Sequence, residues 1–76
     1  MREALEFIVK GIVKHPERVT ITHGEEEGNE VFELSLDEED VGQIIGKNGR
    51  TIKSINILLN ALAGEKSEKF ILRVLR

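Results

Sequence analysis

A chain of 76 residues makes one domain, residues 1–76, and a domain of that size buries only about 60% of its unfolded surface, which leaves little room for a deep substrate pocket. With no cysteine it has neither a disulfide framework nor a cysteine-based zinc site, and with three phenylalanines, no tryptophan and no tyrosine its core must be aliphatic. No apolar run approaches the ~20 residues of a membrane span, "MREALEFIVK" is amphipathic rather than a signal peptide, and the net charge of −3 argues weakly against a nucleic-acid partner. A cytoplasmic protein is expected, and the start at Met1 points to a complete chain.

Residues 3–14 read as a helix, because Leu5, Ile8, Val9 and Ile12 fall at helical spacing. Pro16 stops it. Ala4, Phe7 and Gly11 widen its apolar arc, so the helix is either buried on two sides or Phe7 awaits a partner. "RVTITH" (18–23) alternates and is β-branched, which predicts a strand. "GEEEGN" (24–29) reads as an acidic, mobile hairpin loop. It leads to a second strand, "EVFELSL" (30–36), with Phe32, Leu34 and Leu36 on one face and Val31, Glu33 and Ser35 on the other.

"DEED" (37–40) supplies an acidic helix start for a short helix over about 39–45. Gly46 to Gly49 break it. A longer helix over about 50–63 follows, ended by Gly64. Its wheel puts Ile52, Ile55, Leu58, Leu59 and Leu62 toward the core, with Ile57 nearly opposite, beside Arg50, Ser54 and Ala61. "EKSEK" (65–69) is a polar turn. "FILRVL" (70–75) closes as a strand, with Phe70, Leu72 and Val74 sharing a face. The order α-β-β-α-α-β, with one apolar face per element, predicts an α+β fold, a two-layer α/β sandwich. Its outward sheet face, with Thr20, Thr22, Glu33, Ser35 and Arg73, would be largely open to water.

The charge is divided along the chain. Residues 1–43 hold four basic and twelve acidic residues, net −8, whereas 44–76 hold seven basic and two acidic, net +5. A polyanion would be drawn to one end and repelled by the other. The stretch "VGQIIGKNGRTIKSI" (41–55) concentrates that contrast. A sharp corner between helices needs one glycine for unusual dihedrals. A second glycine lets another molecule approach the backbone. The corner also stands at the N-terminus of the 50–63 helix, where open amides and the helix dipole favour an anion. Lys47 and Arg50 add positive charge there. These features describe a clamp for a phosphodiester backbone, although Gly-x-x-Gly alone is a common helix corner.

"IIGKNGRTIKSI", with its aliphatic pair, Gly-x-x-Gly and isoleucine three residues on, resembles the signature of the KH domain, an RNA and single-stranded DNA binding module. The element order resembles the type II arrangement, which implies a mixed three-stranded sheet covered by three helices on one face. "FIVKGIVKHPERVTI" is similar to the opening of bacterial single-KH proteins of the KhpA type. The resemblance implies a groove for about four unpaired nucleotides and a role as a post-transcriptional regulator or RNA chaperone. Gly46, Lys47, Asn48 and Gly49 would hold phosphates. Ile44, Ile45 and Ile52 would sit at or under an aliphatic floor. The last strand near Ile71 and Arg73 would form the opposite wall, with the 65–69 turn at its mouth. Lys53, one turn after Gly49, Lys66 and Lys69 are further candidate phosphate contacts. With two or three such contacts the salt slope would be about −1.4 to −2, so one domain would bind weakly. The family is associated with homodimers and with pairing to a second KH protein of the KhpB type. Ile57, with Ser54, Ala61 and Phe7, is the candidate interface.

Competing functions fit less well. "GQIIGKN" lacks the spacing and the Ser or Thr of a P-loop. Ser35, Ser54 and Ser67 have no histidine–carboxylate setting, and His23 has no second ligand of matching spacing, so neither an enzyme nor a metal or cofactor site is expected. "GEEEGNE" lacks the alternating ligands of a calcium loop. "NILLNALA" is too apolar for a DNA-reading helix. The serious rival is a protein-interaction adaptor on a KH fold, which the acidic first half favours.

Overall fold

The computed structural model describes residues 2–63 and 70–75. Its elements run α1 (Arg2–Ile12), a 3-10 turn (Pro16–Arg18), β1 (Thr20–Glu26), β2 (Asn29–Ser35), α2 (Glu38–Ile45), a second 3-10 turn (Lys47–Gly49), α3 (Arg50–Leu62) and β3 (Phe70–Leu75). The sheet order is β1-β2-β3. β1 and β2 are antiparallel, with Ile21 opposite Leu34, and β2 and β3 are parallel, with Phe32 opposite Leu72. The mixed sheet and the α-β-β-α-α-β order are those of a type II KH fold.

Strand alternation sends one set of side chains to the helices. Ile21, Phe32, Leu34 and Phe70 meet Leu5 and Val9 of α1, Ile44 of α2, and Ile55 and Leu59 of α3 in a single buried cluster. Full burial of one such side chain contributes about 1.5–3 kcal/mol. Phe32 is stacked between His23, at 4.6 Å between ring centroids, and Phe70, at 5.7 Å. The Asn60 side chain accepts from the Phe70 amide at 3.3 Å and so ties α3 to the start of β3.

The hairpin is tighter than the sequence predicts. β1 starts at Thr20 and continues through Glu26, so most of the expected 24–29 loop is paired strand. Only Glu27 and Gly28 turn, both at positive φ (50° and 82°), the requirement of a type I′ turn that matches strand twist. On the open face, Arg73 donates to both oxygens of Glu26, at 2.5 and 2.8 Å. In the strand register this pair must cross β2 over Val31, which explains why Val31 is buried on a face otherwise exposed to water.

Asp40 is the single buried charged residue of the described chain, 2% exposed. Its carboxylate accepts from the amides of Lys14 at 2.9 Å and His15 at 3.0 Å. It thereby fastens the chain that leaves α1 before Pro16 to the start of α2. Burial pushes its pKa up, but the two amide hydrogen bonds, with His15 and Lys14 nearby, outweigh this and hold the carboxyl below its ordinary value. The α3 wheel needs correction: Leu58 and Leu62 are 46% and 57% exposed, because α3 packs along the narrower line of Ile55 and Leu59. Phe7 points to water, 82% exposed. Among the described residues no helix is long and apolar enough to cross a membrane.

Candidate nucleic-acid interface

The corner between α2 and α3 is a tight kink closed by its own backbone hydrogen bonds, not an open loop, and it leaves helical dihedrals at Asn48. Gly46 has φ 77° and ψ 171°, a conformation essentially restricted to glycine. A Cβ there would also sit 2.8 Å from the Thr51 nitrogen. Gly49 is left-handed at φ 74°, ψ 16°, with open space where a Cβ would stand. Asn48 is left-handed too, at φ 57°, a conformation its short polar side chain tolerates better than most. The first glycine is thus demanded by sterics as well as by dihedrals, and the second by dihedrals alone.

The corner's own hydrogen bonds decide which amides remain. Gly46 donates to the Gly42 carbonyl at 2.8 Å and Gly49 to the Gly46 carbonyl at 3.1 Å. Arg50 donates to the Lys47 carbonyl. Among the described residues the amides of Lys47 and Asn48 have no backbone partner, and both residues are exposed. They lie at the N-terminus of α3, which has no side-chain cap and no acid in its first turn. Arg50 and Lys53 are exposed on that helix.

The expected floor divides by depth. Ile44 is fully buried in the core, while Ile45 and Ile52 are half-buried. On α2, Glu38, Val41, Gly42 and Ile45 fall at i, i+3, i+4 and i+7, so one face runs from the helix start to the corner. The first three of these join Ser35, Leu36 and Leu75 in lining a cleft of about 640 Å³. Val41, Gly42, Leu36 and Leu75 were not read as site residues from the sequence, Leu36 only as an inward strand position; the stripe Val41-Gly42-Ile45 is the signal that could have found the first two. Ile71 and Arg73 lie elsewhere. With Phe70, Leu72 and Val74 turned inward, they stand on the open sheet face, and Arg73 is engaged by Glu26, whose carboxyl that contact holds below its ordinary pKa. Lys66, Lys69 and the 65–69 turn lie outside the described residues. Spacing also missed a grouping of His15, Asp37 and Glu39, whose ligand atoms lie within 4.8 Å of one another at the opposite end of α2 from the corner.

Comparison with known proteins gives this geometry a family. A protein of Thermotoga maritima named RNA-binding protein KhpA is 59% identical over 68 residues, 90% of this chain and 91% of that protein. RNA-binding protein KhpA of Chlamydia pneumoniae is 39% identical over 75 residues, 99% of this chain and 96% of its own. The Listeria monocytogenes protein of the same name is 39% identical over 75 residues, 99% of each. A family model described as "KhpA/KhpB, KH domain" matches residues 2–74, and with relatives this similar along nearly its whole length, the chain belongs to the KhpA/KhpB KH-domain family.

Proposed function

We propose that this chain binds short single-stranded RNA, with the corner at residues 46–49 gripping the phosphate backbone. The observation that carries the proposal is the pair of amides, Lys47 and Asn48, that have no backbone partner among the described residues, at a helix N-terminus with no acid in its first turn. A phosphate would supply the missing acceptor, and Lys47 and Arg50 would neutralise it. Ile45, Ile52 and the Val41–Gly42 step would give bases an apolar floor suited to a chain without tryptophan or tyrosine. The related KhpA proteins, named as RNA-binding, support the same function here, and that function requires no catalysis.

The double substitution Lys47→Asp/Asn48→Asp tests it. Titration with a short single-stranded RNA at two salt concentrations should show most affinity lost, with the circular dichroism spectrum unchanged. Unchanged RNA affinity would instead favour a protein-interaction adaptor. A single clamp with two or three phosphate contacts binds weakly, and a second domain would raise the effective affinity. Ile57, 62% exposed, with Ser54 and Ala61 also exposed on α3, is the proposed surface for a homodimer or for pairing with a second KH protein of the KhpB type. Phe7 on α1 would widen it. Ile57→Asp should convert such an assembly to monomer in sedimentation, and a wild-type monomer at high concentration would dismiss it.

A further inference from the structure

Resting on the phosphate clamp proposed above, we propose that Glu38 selects guanine at the far end of the cleft. The cleft and the corner are joined through one helical turn. Gly42 lines the cleft, and its carbonyl accepts the Gly46 amide at 2.8 Å, so the two are about 6 Å apart along α2. A strand whose phosphate sits on Lys47 and Asn48 therefore has a base at the mouth of the cleft. Gly42 leaves the entrance open, since nothing lies within 4 Å of the position a Cβ would take. Leu36, Val41 and Leu75 offer apolar walls to the ring faces.

The charge around the cleft admits a base but not a phosphate. Asp37, Glu38 and Glu39 crowd the start of α2, whereas Lys47 and Arg50 stand at its other end. A backbone phosphate is repelled from the acidic end, while a neutral base is not. Among the described residues, no hydrogen bond or ion pair engages the Glu38 carboxylate, in contrast to its neighbour Asp37, which caps the helix.

An ionised carboxylate only accepts, and its two oxygens suit two parallel donors. An unpaired base is read on its Watson–Crick edge. On guanine that edge presents N1–H and the N2 amino group side by side. Adenine and cytosine each set an amino donor beside a ring-nitrogen acceptor, which would face a carboxylate oxygen. Uracil places one N–H between two carbonyls. Guanine alone offers two adjacent donors and no acceptor opposing them.

The test uses uridine heptamers carrying one central guanosine, inosine, adenosine or cytidine, titrated at one fixed salt concentration. Guanosine should bind about 5- to 100-fold tighter than adenosine, the range of a good bidentate contact. Inosine, which keeps N1–H and lacks the amino group, should fall between. Glu38→Gln, whose amide sets one donor nitrogen beside one acceptor oxygen, should bring the four strands to near-equal affinity, with adenosine and cytidine strands binding more tightly than to the wild type. Gly42→Leu, which fills the entrance without strain in a helix, should erase the same preference by a different route. Equal binding of all four strands by the wild type, or a guanosine preference that survives Glu38→Gln, would overturn the assignment. Lys47→Asp/Asn48→Asp separates the two layers. It should weaken all four strands by a common factor, and if it weakens none, the phosphate clamp fails and takes this assignment with it.

Discussion

The two helix N-termini on either side of the corner obey the same electrostatics and meet it in opposite ways. α2 begins with its own anions. Asp37 caps it, accepting from the Glu39 amide at 2.9 Å, and Glu38, Glu39 and Asp40 fill the first turn. α3 begins with Gly49, no side-chain cap and no acid, and with Lys47 and Arg50 alongside. An N-terminus that carries its own carboxylates is finished structure. One that lacks them while surrounded by cations has its anion still to come. The local net charges that oppose each other along the sequence thus become two ends of a single helix pair.

The largest expected effect lies on the α2 side. Asp40→Ala leaves the Lys14 and His15 amides buried without an acceptor and opens a void beside the core. The melting temperature should fall by roughly 10–20 °C, followed by thermal circular dichroism. The same residue sets an acid sensitivity. Its folded-state pKa lies below the unfolded one, so the stabilisation is complete above the unfolded value and declines as the pH drops through the folded one. Stability should therefore fall below about pH 4, and Asp40→Asn should flatten that part of the profile.

The next effect tests the corner. Gly46→Ala combines a glycine-only conformation with a close approach to Thr51 and should cost about 1–3 kcal/mol, read as a lower denaturation midpoint at unchanged m. Gly49→Ala meets no neighbour and should cost about 1–2 kcal/mol for the left-handed backbone alone. Equal losses at both positions would contradict the steric distinction between them.

The element order and sheet faces were legible because alternation and helical spacing carried them: Phe32 and Leu34 inward, Glu33 and Ser35 outward, Gly46 at the break. The strand ends were less so. Polar Gly24 to Glu26 looked like a loop, yet cross-strand pairing to Asn29–Val31 extends the strand regardless of composition. The outward set of α3 was read correctly at Ile57 and too narrowly at Leu58 and Leu62, because a wheel cannot show how wide a stripe the sheet will cover. At the site, the glycines and Lys47 announced themselves by type. Which amides remain without partners depends on how the corner kinks, and the Glu26 partner of Arg73 depends on strand register. Neither is written in local sequence.

Arg50→Glu turns the comparison into a test of opposite signs. It places an acid in the first turn of α3, imitating α2. Helix stability should rise by about 0.3–1 kcal/mol. RNA affinity should fall, with a salt slope shallower by about 0.7 for each phosphate that the variant no longer neutralises. A variant both more stable and better at binding RNA would break the contrast between the two helix starts.

Asp37→Ala is the converse perturbation and the one with the smallest expected effect on RNA binding. It removes the cap of α2, leaves the Glu39 amide without its acceptor, and should cost about 1 kcal/mol. Nothing at the corner is touched, because the cap lies at the opposite end of α2 from Gly46. RNA affinity should hold or rise slightly, since one carboxylate leaves the acidic end of the cleft and the strand meets less repulsion there. The residual charges, Glu38 and Glu39, keep that rise small. A large loss of RNA binding from Asp37→Ala at full folding would mean that the anion site sits at the start of α2 rather than at the start of α3, and the division of labour between the two helix ends would have to be reversed.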